Sequence, residues 1–112
     1  LLRPSLYGAI HEIIPITRNQ QKSPEVLADI VGPICETGDT FATGVKIANI
    51  SEGDLVAINS AGAYGAVMSS FYNSRPLIAE VMVKDNKFEI VRKKLDISSL
   101  LDYESTPNWI KN

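Results

Sequence analysis

The sequence predicts an all-β (mainly β) fold, a barrel or sandwich with one or two short helices. Three observations predict it. About seven short apolar or alternating segments recur along the 112 residues, divided by turn-forming Gly, Pro, Asn, Asp and Ser. β-Branched residues crowd these segments, as at Ile10, Ile13, Ile14 and Ile16. No long amphipathic helical stretch supports βαβ units.

Taken in order, Leu6 to Ile16 reads as a long strand with a bulge near Gly8, and Pro15 marks an edge or an end. Arg18 to Pro24 is polar and reads as a loop. Val26 to Val31 is a second strand, Asp39 to Ala42 a short third one, and Gly44 to Ile50 a connection. Ser51-Glu52-Gly53-Asp54 is a tight turn in which Gly53 can take a positive φ. Leu55 to Ile58 follows as a buried strand. Ala61 to Gly65 is rich in small residues, and Ala66 to Phe71 can form one or two turns of helix. Leu77 to Val83 and Lys87 to Arg92 form a hairpin across Lys84-Asp85-Asn86. Ile97 to Asp102 is a short helix with Asp96 or Ser98 as N-cap. Thr106 to Asn112 is a polar tail carrying Trp109.

A hydrophobic content of 45%, a charged content of 21% and a net charge of −2 describe an ordinary globular chain. They exclude a strongly basic nucleic-acid binder and a disordered polyelectrolyte. No apolar run approaches the ~20 residues that span a bilayer. One cysteine rules out an internal disulfide framework and fits a reducing compartment, hence a cytoplasmic location. One His and one Cys leave no structural zinc set, so no metal site is expected. The chain opens on Leu1-Leu2-Arg3-Pro4 rather than on Met, and is expected to be a piece of a longer protein.

The stretch that concentrates chemistry is Gly32-Pro33-Ile34-Cys35-Glu36-Thr37-Gly38-Asp39. Turn residues stand on both sides of an adjacent thiol and carboxylate, which mounts them on a short loop at a strand end. A lone cysteine is more often a small buried hydrophobe than a reactive group. Ala61 to Gly65 matches no phosphate-binding fingerprint; its small residues admit either close approach of an anion beside the Tyr64 hydroxyl or a tight turn with Tyr64 packed on the core. Arg3 can grip a carboxylate or stand in solvent. His11 reads as a pH-sensitive group or a packing residue, and Arg75 as a loop cap or a site residue.

Four stretches occur together and in order: Arg3 to His11 (RPSLYGAIH), Gly32 to Asp39, Asp54 to Ala57 with Ala61 to Gly65, and Tyr72-Asn73-Ser74-Arg75-Pro76. Together they resemble the C-terminal domain of the diaminopimelate decarboxylase family, from residue 3 to about residue 101. The Cys-Glu turn is the most specific element; related ornithine decarboxylases resemble it but carry Asp after the Cys. The resemblance implies a Greek-key-like β-barrel or sandwich, like the C-terminal domain of alanine racemase-like decarboxylases, over residues 1–102, with a tail at 103–112. It also implies an N-terminal (β/α)₈ barrel outside this chain. That barrel would carry the Schiff-base lysine for pyridoxal 5'-phosphate, the glycine-rich phosphate site and a histidine stacked on the cofactor ring. The domain in this family also borrows a strand from the far N-terminus of the full chain.

The resemblance further implies roles. Cys35 matches the family's catalytic proton donor; a thiol is mostly protonated at neutral pH and can yield its proton to a carbanion. Glu36 matches the residue that recognises the distal ammonium of meso-diaminopimelate, Arg3 the clamp on its distal carboxylate, and Tyr7 a hydroxyl at the same end. Tyr64 matches a residue that reaches both substrate and cofactor phosphate. The Cys-Glu turn would enter the neighbouring subunit's site, making a homodimer with shared active sites. Expected partners are therefore the amino-acid substrate and a second copy, with no nucleic acid and no membrane. Thr37 stands where Ser is commoner, and Ile10 where relatives are often aromatic. Rival readings are a decarboxylase of ornithine, arginine or a carboxylated polyamine, and a non-catalytic β binding module.

Overall fold

The computed structural model describes residues 2–110. Within them the chain is mostly sheet with short helical turns, as its sequence predicts. It divides into two compact units, Leu1–Ser69 and Ser70–Asn112. Among the described residues, the strands pair as three two-stranded antiparallel sheets.

In the first unit, β1 (Ile13–Pro15) pairs with β4 (Val56–Ile58), setting Ile13 opposite Ile58 and Pro15 opposite Val56. The ladder continues at both ends: Ile16 N–H donates to the Leu55 carbonyl at 3.0 Å, and Asn59 N–H donates to the Glu12 carbonyl at 2.8 Å. β2 (Glu25–Val31) pairs with β3 (Thr40–Ala48) from Glu25–Ala48 to Val31–Thr40. Thr43 and Gly44 together oppose Asp29, so the ladder bulges there. Gly44 takes a φ of 60° and gives its N–H to Asp29 Oδ1 at 2.7 Å. The expected connection over 44–50 is therefore mostly strand: a glycine in the left-handed region lets β3 bend and continue.

The long strand expected over Leu6 to Ile16 is not formed. Pro4–Leu6 is a 3₁₀ turn, and only Ile13–Pro15 is strand. Pro4 stands at the first position of the turn, where its missing N–H costs nothing, and Gly8 at φ 63° turns the chain again. Between the two, Ala9 is half-buried and Ile10 exposed, and neither joins a ladder. Arg18–Gln21, expected as a loop, is a single helical turn (α1), closed by Gln21 N–H to the Thr17 carbonyl at 3.1 Å. The Ser51–Asp54 turn forms as expected, with Gly53 at φ 89°. The strand after it is half-buried rather than buried, and Leu55 is exposed. Gly62–Ala66 is a π turn, with Ala66 N–H reaching back to the Ala61 carbonyl at 3.0 Å. Among the described residues of this unit, Pro4, Pro15, Ile34 and Ile47 are buried, with His11 and Asp39 as buried polar groups.

In the second unit, β5 (Glu80–Lys84) and β6 (Lys87–Arg92) form the expected hairpin, tightened by Asp85 at φ 54°. Leu77 and Leu95 exchange both backbone hydrogen bonds at 3.0 Å and clasp its open end. Asp96 precedes α2 (Ile97–Leu101), as expected, but caps it without a side-chain bond. Tyr72–Ser74 is a 3₁₀ turn in which Asn73 and Ser74 are left-handed. The expected tail holds a further 3₁₀ turn, Asn108–Ile110, with Trp109 exposed. Its last two residues, and Leu1, lie outside the described residues.

Candidate active site

Between β2 and β3 the chain from Gly32 to Asp39 folds back on itself around one carboxylate. Asp39 is 2% exposed. Its Oδ2 accepts the Ile34 N–H at 2.8 Å, its carbonyl accepts the Gly32 N–H at 2.7 Å, and its own N–H donates to the Glu36 carbonyl at 2.9 Å. The Asp39 side chain fills the space where a β-carbon on residue 32 would lie, so only glycine fits there. With Ile34 driven into the core, Cys35 is turned outward and is exposed. Sequence and packing act together here: a buried side chain on one side of the thiol fixes the direction of the thiol itself.

Glu36 is held at both carboxylate oxygens. Oε1 accepts the Gly38 N–H at 3.0 Å, and Oε2 lies 3.3 Å from Arg3 Nε. A β-carbon at residue 38 would come 2.7 Å from Oε1, so a side chain there would displace the Glu36 carboxylate from this position. Arg3 reaches Glu36 because it adopts the left-handed conformation, φ 53° and ψ 50°, ahead of the Pro4–Leu6 turn. That turn packs against the Thr37–Asp39 turn. A non-glycine residue at positive φ is strained, and such strain collects at functional sites.

Tyr7 closes the same Pro4–Leu6 turn. Its ring stacks on Tyr64 with centroids 5.5 Å apart and planes at 23°. Its hydroxyl lies 3.1 Å from the Leu2 carbonyl and 3.1 Å from His11 Nε2. His11 Nδ1 lies 3.0 Å from the Asn59 carbonyl. Tyr64 sits in the π turn, a local widening that recurs at functional sites, and is exposed.

The structure thus brings Arg3 onto Glu36 and Tyr7 onto Tyr64, with Cys35 adjoining Glu36 in the chain. All five residues expected in the site lie in the first unit. Two residues assigned no site role in the sequence join them. Asp39 looked like the start of a strand; its signal was a Gly-Asp-Thr string in which a short carboxylate can bond the backbone just before it. Asn59 contributes only its carbonyl, which no side-chain pattern announces. Among the described residues no cluster of His, Cys, Asp and Glu could hold a metal ion. No helix there is long and apolar enough to cross a membrane.

Residues 1–62 match the family described as the pyridoxal-dependent decarboxylase, C-terminal sheet domain. The chain belongs to the pyridoxal-dependent decarboxylases. It is 51% identical over 110 residues to the diaminopimelate decarboxylase of Zymomonas mobilis, covering 98% of this chain and 25% of that one. Among solved structures it resembles a diaminopimelate decarboxylase from M. jannaschii in complex with L-lysine (TM-score 0.86, 27% identity, 99% of this chain and 25% of that one). It also resembles that of Helicobacter pylori with L-lysine (TM-score 0.78, 40% identity, 91% and 25%). The chain spans about a quarter of the length of the relatives it matches.

The residues in this chain fit the edge of a pyridoxal phosphate site. The Tyr64 hydroxyl has no hydrogen-bond partner among the described residues, and Gly62 beside it has open space where a side chain would stand. An exposed hydroxyl beside a bare backbone suits a phosphate oxygen.

Proposed function

We propose that this chain is the C-terminal domain, residues 1–102 with a tail at 103–112, of a diaminopimelate decarboxylase. The enzyme converts meso-2,6-diaminopimelate to L-lysine and carbon dioxide. The observation that carries this reading is the Cys35-Glu36 turn, where an outward thiol adjoins a carboxylate already engaged by a guanidinium. Relatives named diaminopimelate decarboxylase, at up to 51% identity, and lysine complexes of two of them support it.

Pyridoxal phosphate, bound mainly by the rest of the enzyme, supplies an electron sink for the pair left when the carboxylate departs as carbon dioxide. Cys35 holds a proton on Sγ and delivers it to the carbon that lost the carboxylate; solvent then returns a proton to the sulfur. The net change is one carboxylate lost and one proton gained at carbon. Glu36 pairs with the distal ammonium, Arg3 with the distal carboxylate, and Tyr7 adds a hydroxyl at that end. Arg3 and Glu36 bind each other, so the substrate's two opposite charges would replace two protein charges one for one. Ornithine, with a distal ammonium but no distal carboxylate, would satisfy Glu36 and leave Arg3 unmatched, which is a basis for selectivity. Tyr64 reaches the phosphate.

The enzyme is cytoplasmic, where an exposed lone thiol stays reduced. It acts as a homodimer with Cys35 serving the neighbouring subunit's site. The broad exposure of apolar side chains such as Leu27, Val31 and Val67 supports a chain that packs against more protein. The test is carbon dioxide release from meso-diaminopimelate by the full-length enzyme with pyridoxal phosphate, against ornithine and arginine. Turnover confined to diaminopimelate is expected; turnover of ornithine or arginine instead overturns the assignment of Glu36. Mixing Cys35→Ala subunits with subunits disabled in the N-terminal domain should restore activity, and no restoration would overturn the shared site.

A further inference from the structure

His11 is 6% exposed, and the mechanism above makes no use of it. Its surroundings fix its chemistry. The Asn59 carbonyl can only accept a hydrogen bond, so Nδ1, 3.0 Å away, carries a hydrogen. In the neutral ring Nε2 is then an acceptor, and at 3.1 Å it shares the single hydrogen of the Tyr7 hydroxyl with the Leu2 carbonyl, also 3.1 Å away. The ring also meets the Tyr7 ring edge-on, with centroids 5.9 Å apart and planes at 75°. Its anchor is firm, because Asn59 is held to the β1 side by two bonds of its own. Its N–H donates to the Glu12 carbonyl at 2.8 Å, and its side-chain Nδ2 donates to Glu12 Oε2 at 2.8 Å.

The chain of contacts therefore runs from the end of β4, through the imidazole, to the Tyr7 hydroxyl. From the Tyr7 ring it passes across a 5.5 Å stack to Tyr64. Tyr7 needs such support. It lies outside any strand, between a 3₁₀ turn and the left-handed Gly8. Without the His11 bond, its hydroxyl would keep only the Leu2 carbonyl, on the adjacent stretch of the same segment.

We infer that His11 is a positioning residue that sets the Tyr7 hydroxyl in the substrate site by tying it to the Asn59 carbonyl. This rests on the reading of Tyr7 as a substrate-binding residue. The imidazole is the right length for the task, because its two nitrogens bond a fixed backbone acceptor and a site hydroxyl at once. It acts on binding, through Tyr7, and leaves the Cys35 proton untouched.

The experiment separates the two nitrogens in the full-length enzyme. Asparagine places its amide near the position of Nδ1, and glutamine near that of Nε2. His11→Asn keeps the Asn59 bond and drops the Tyr7 bond; His11→Gln keeps the Tyr7 bond. We expect His11→Asn to raise KM about five- to tenfold, with kcat within about twofold, as loss of one hydrogen bond dictates. His11→Gln should restore KM to within about twofold of the parent. In a Tyr7→Phe background His11→Asn should add nothing, because the two changes remove one interaction. Multiplying effects in the double variant, or a His11→Gln enzyme as impaired as His11→Asn, would overturn the inference. The cycle is scored on whichever of diaminopimelate, ornithine and arginine the parent turns over. A parent that prefers ornithine thus refutes the substrate assignment, while the behaviour of the cycle separately decides the role of His11.

Discussion

Arg3 Nε and Glu36 Oε2 lie 3.3 Å apart, although 33 residues separate them in the chain. Their side chains are 31% and 26% exposed, which puts the pair at the lip of the site rather than in the core. At such exposure an ion pair contributes at most about 1 kcal/mol to stability. Its weakness suits the proposed reading, in which the pair opens for a ligand bearing both charges.

Glu36→Gln is therefore expected to separate function from stability. Charge-assisted hydrogen bonds contribute about 1.5–3 kcal/mol, so KM for diaminopimelate should rise by one to two orders of magnitude. Denaturant unfolding should change by no more than about 1 kcal/mol. Glu36→Asp, which withdraws the carboxylate by one methylene, should also act on KM. Steady-state kinetics and urea titration of the full-length variants check this; unchanged KM in both would remove Glu36 from recognition.

Cys35→Ala should reduce kcat by at least about 10²-fold, the usual contribution of a positioned proton donor. Cofactor binding should persist, because no contact of the exposed thiol is needed to hold the phosphate. Absorbance titration with pyridoxal phosphate and carbon dioxide release together read the two effects. Full turnover by this variant would move the proton donor elsewhere.

Gly32→Ala should destabilise the fold by more than about 2 kcal/mol, because the new methyl group meets a buried carboxylate that is bonded to the backbone and cannot swing away. Asp39→Ala should cost a similar amount by leaving the Ile34 N–H buried and unbonded. Asp39→Asn keeps an oxygen for that N–H and should retain most of the lost stability. Chemical denaturation of the three variants gives the order, and equal losses for Asn and Ala would sink the assigned role of Oδ2.

Arg3→Gly tests the strained backbone. Glycine adopts φ 53° without penalty, so the variant should keep the Pro4–Leu6 turn and lose only the guanidinium. KM should rise while the melting temperature stays within a few degrees of the parent. A large drop in melting temperature would show that the Arg3 side chain holds the turn.

Local chemistry made much of the chain legible in its sequence. The alternation over Lys87 to Arg92 and the Asp85-Asn86 pair specified a hairpin that needs only neighbouring residues to form. Val26 to Val31 and the Gly-Pro and Gly-Asp pairs around Cys35 likewise announced a strand and a turn, and the four stretches marked the family. The opening segment misled because Ile10, Ile13, Ile14 and Ile16 satisfy a strand pattern whether or not a partner strand is there to bond them. A ladder exists only where β4 arrives, opposite Ile13–Pro15.

By itself, then, the sequence determined which reactive and polar side chains the chain holds and which local turns present them: a thiol beside a carboxylate, a guanidinium, two phenols. Only the tertiary structure decided their relations. Arg3 meets Glu36 across 33 residues, and His11 meets the Asn59 carbonyl across 48. The physical reason is that these contacts depend on strand pairing that brings remote backbone together, and a backbone carbonyl leaves no mark in the sequence of the residue that carries it. Burial acts the same way: nothing in the letter Asp39 says that it lies inward beneath a glycine, bonding the turn that turns Cys35 outward.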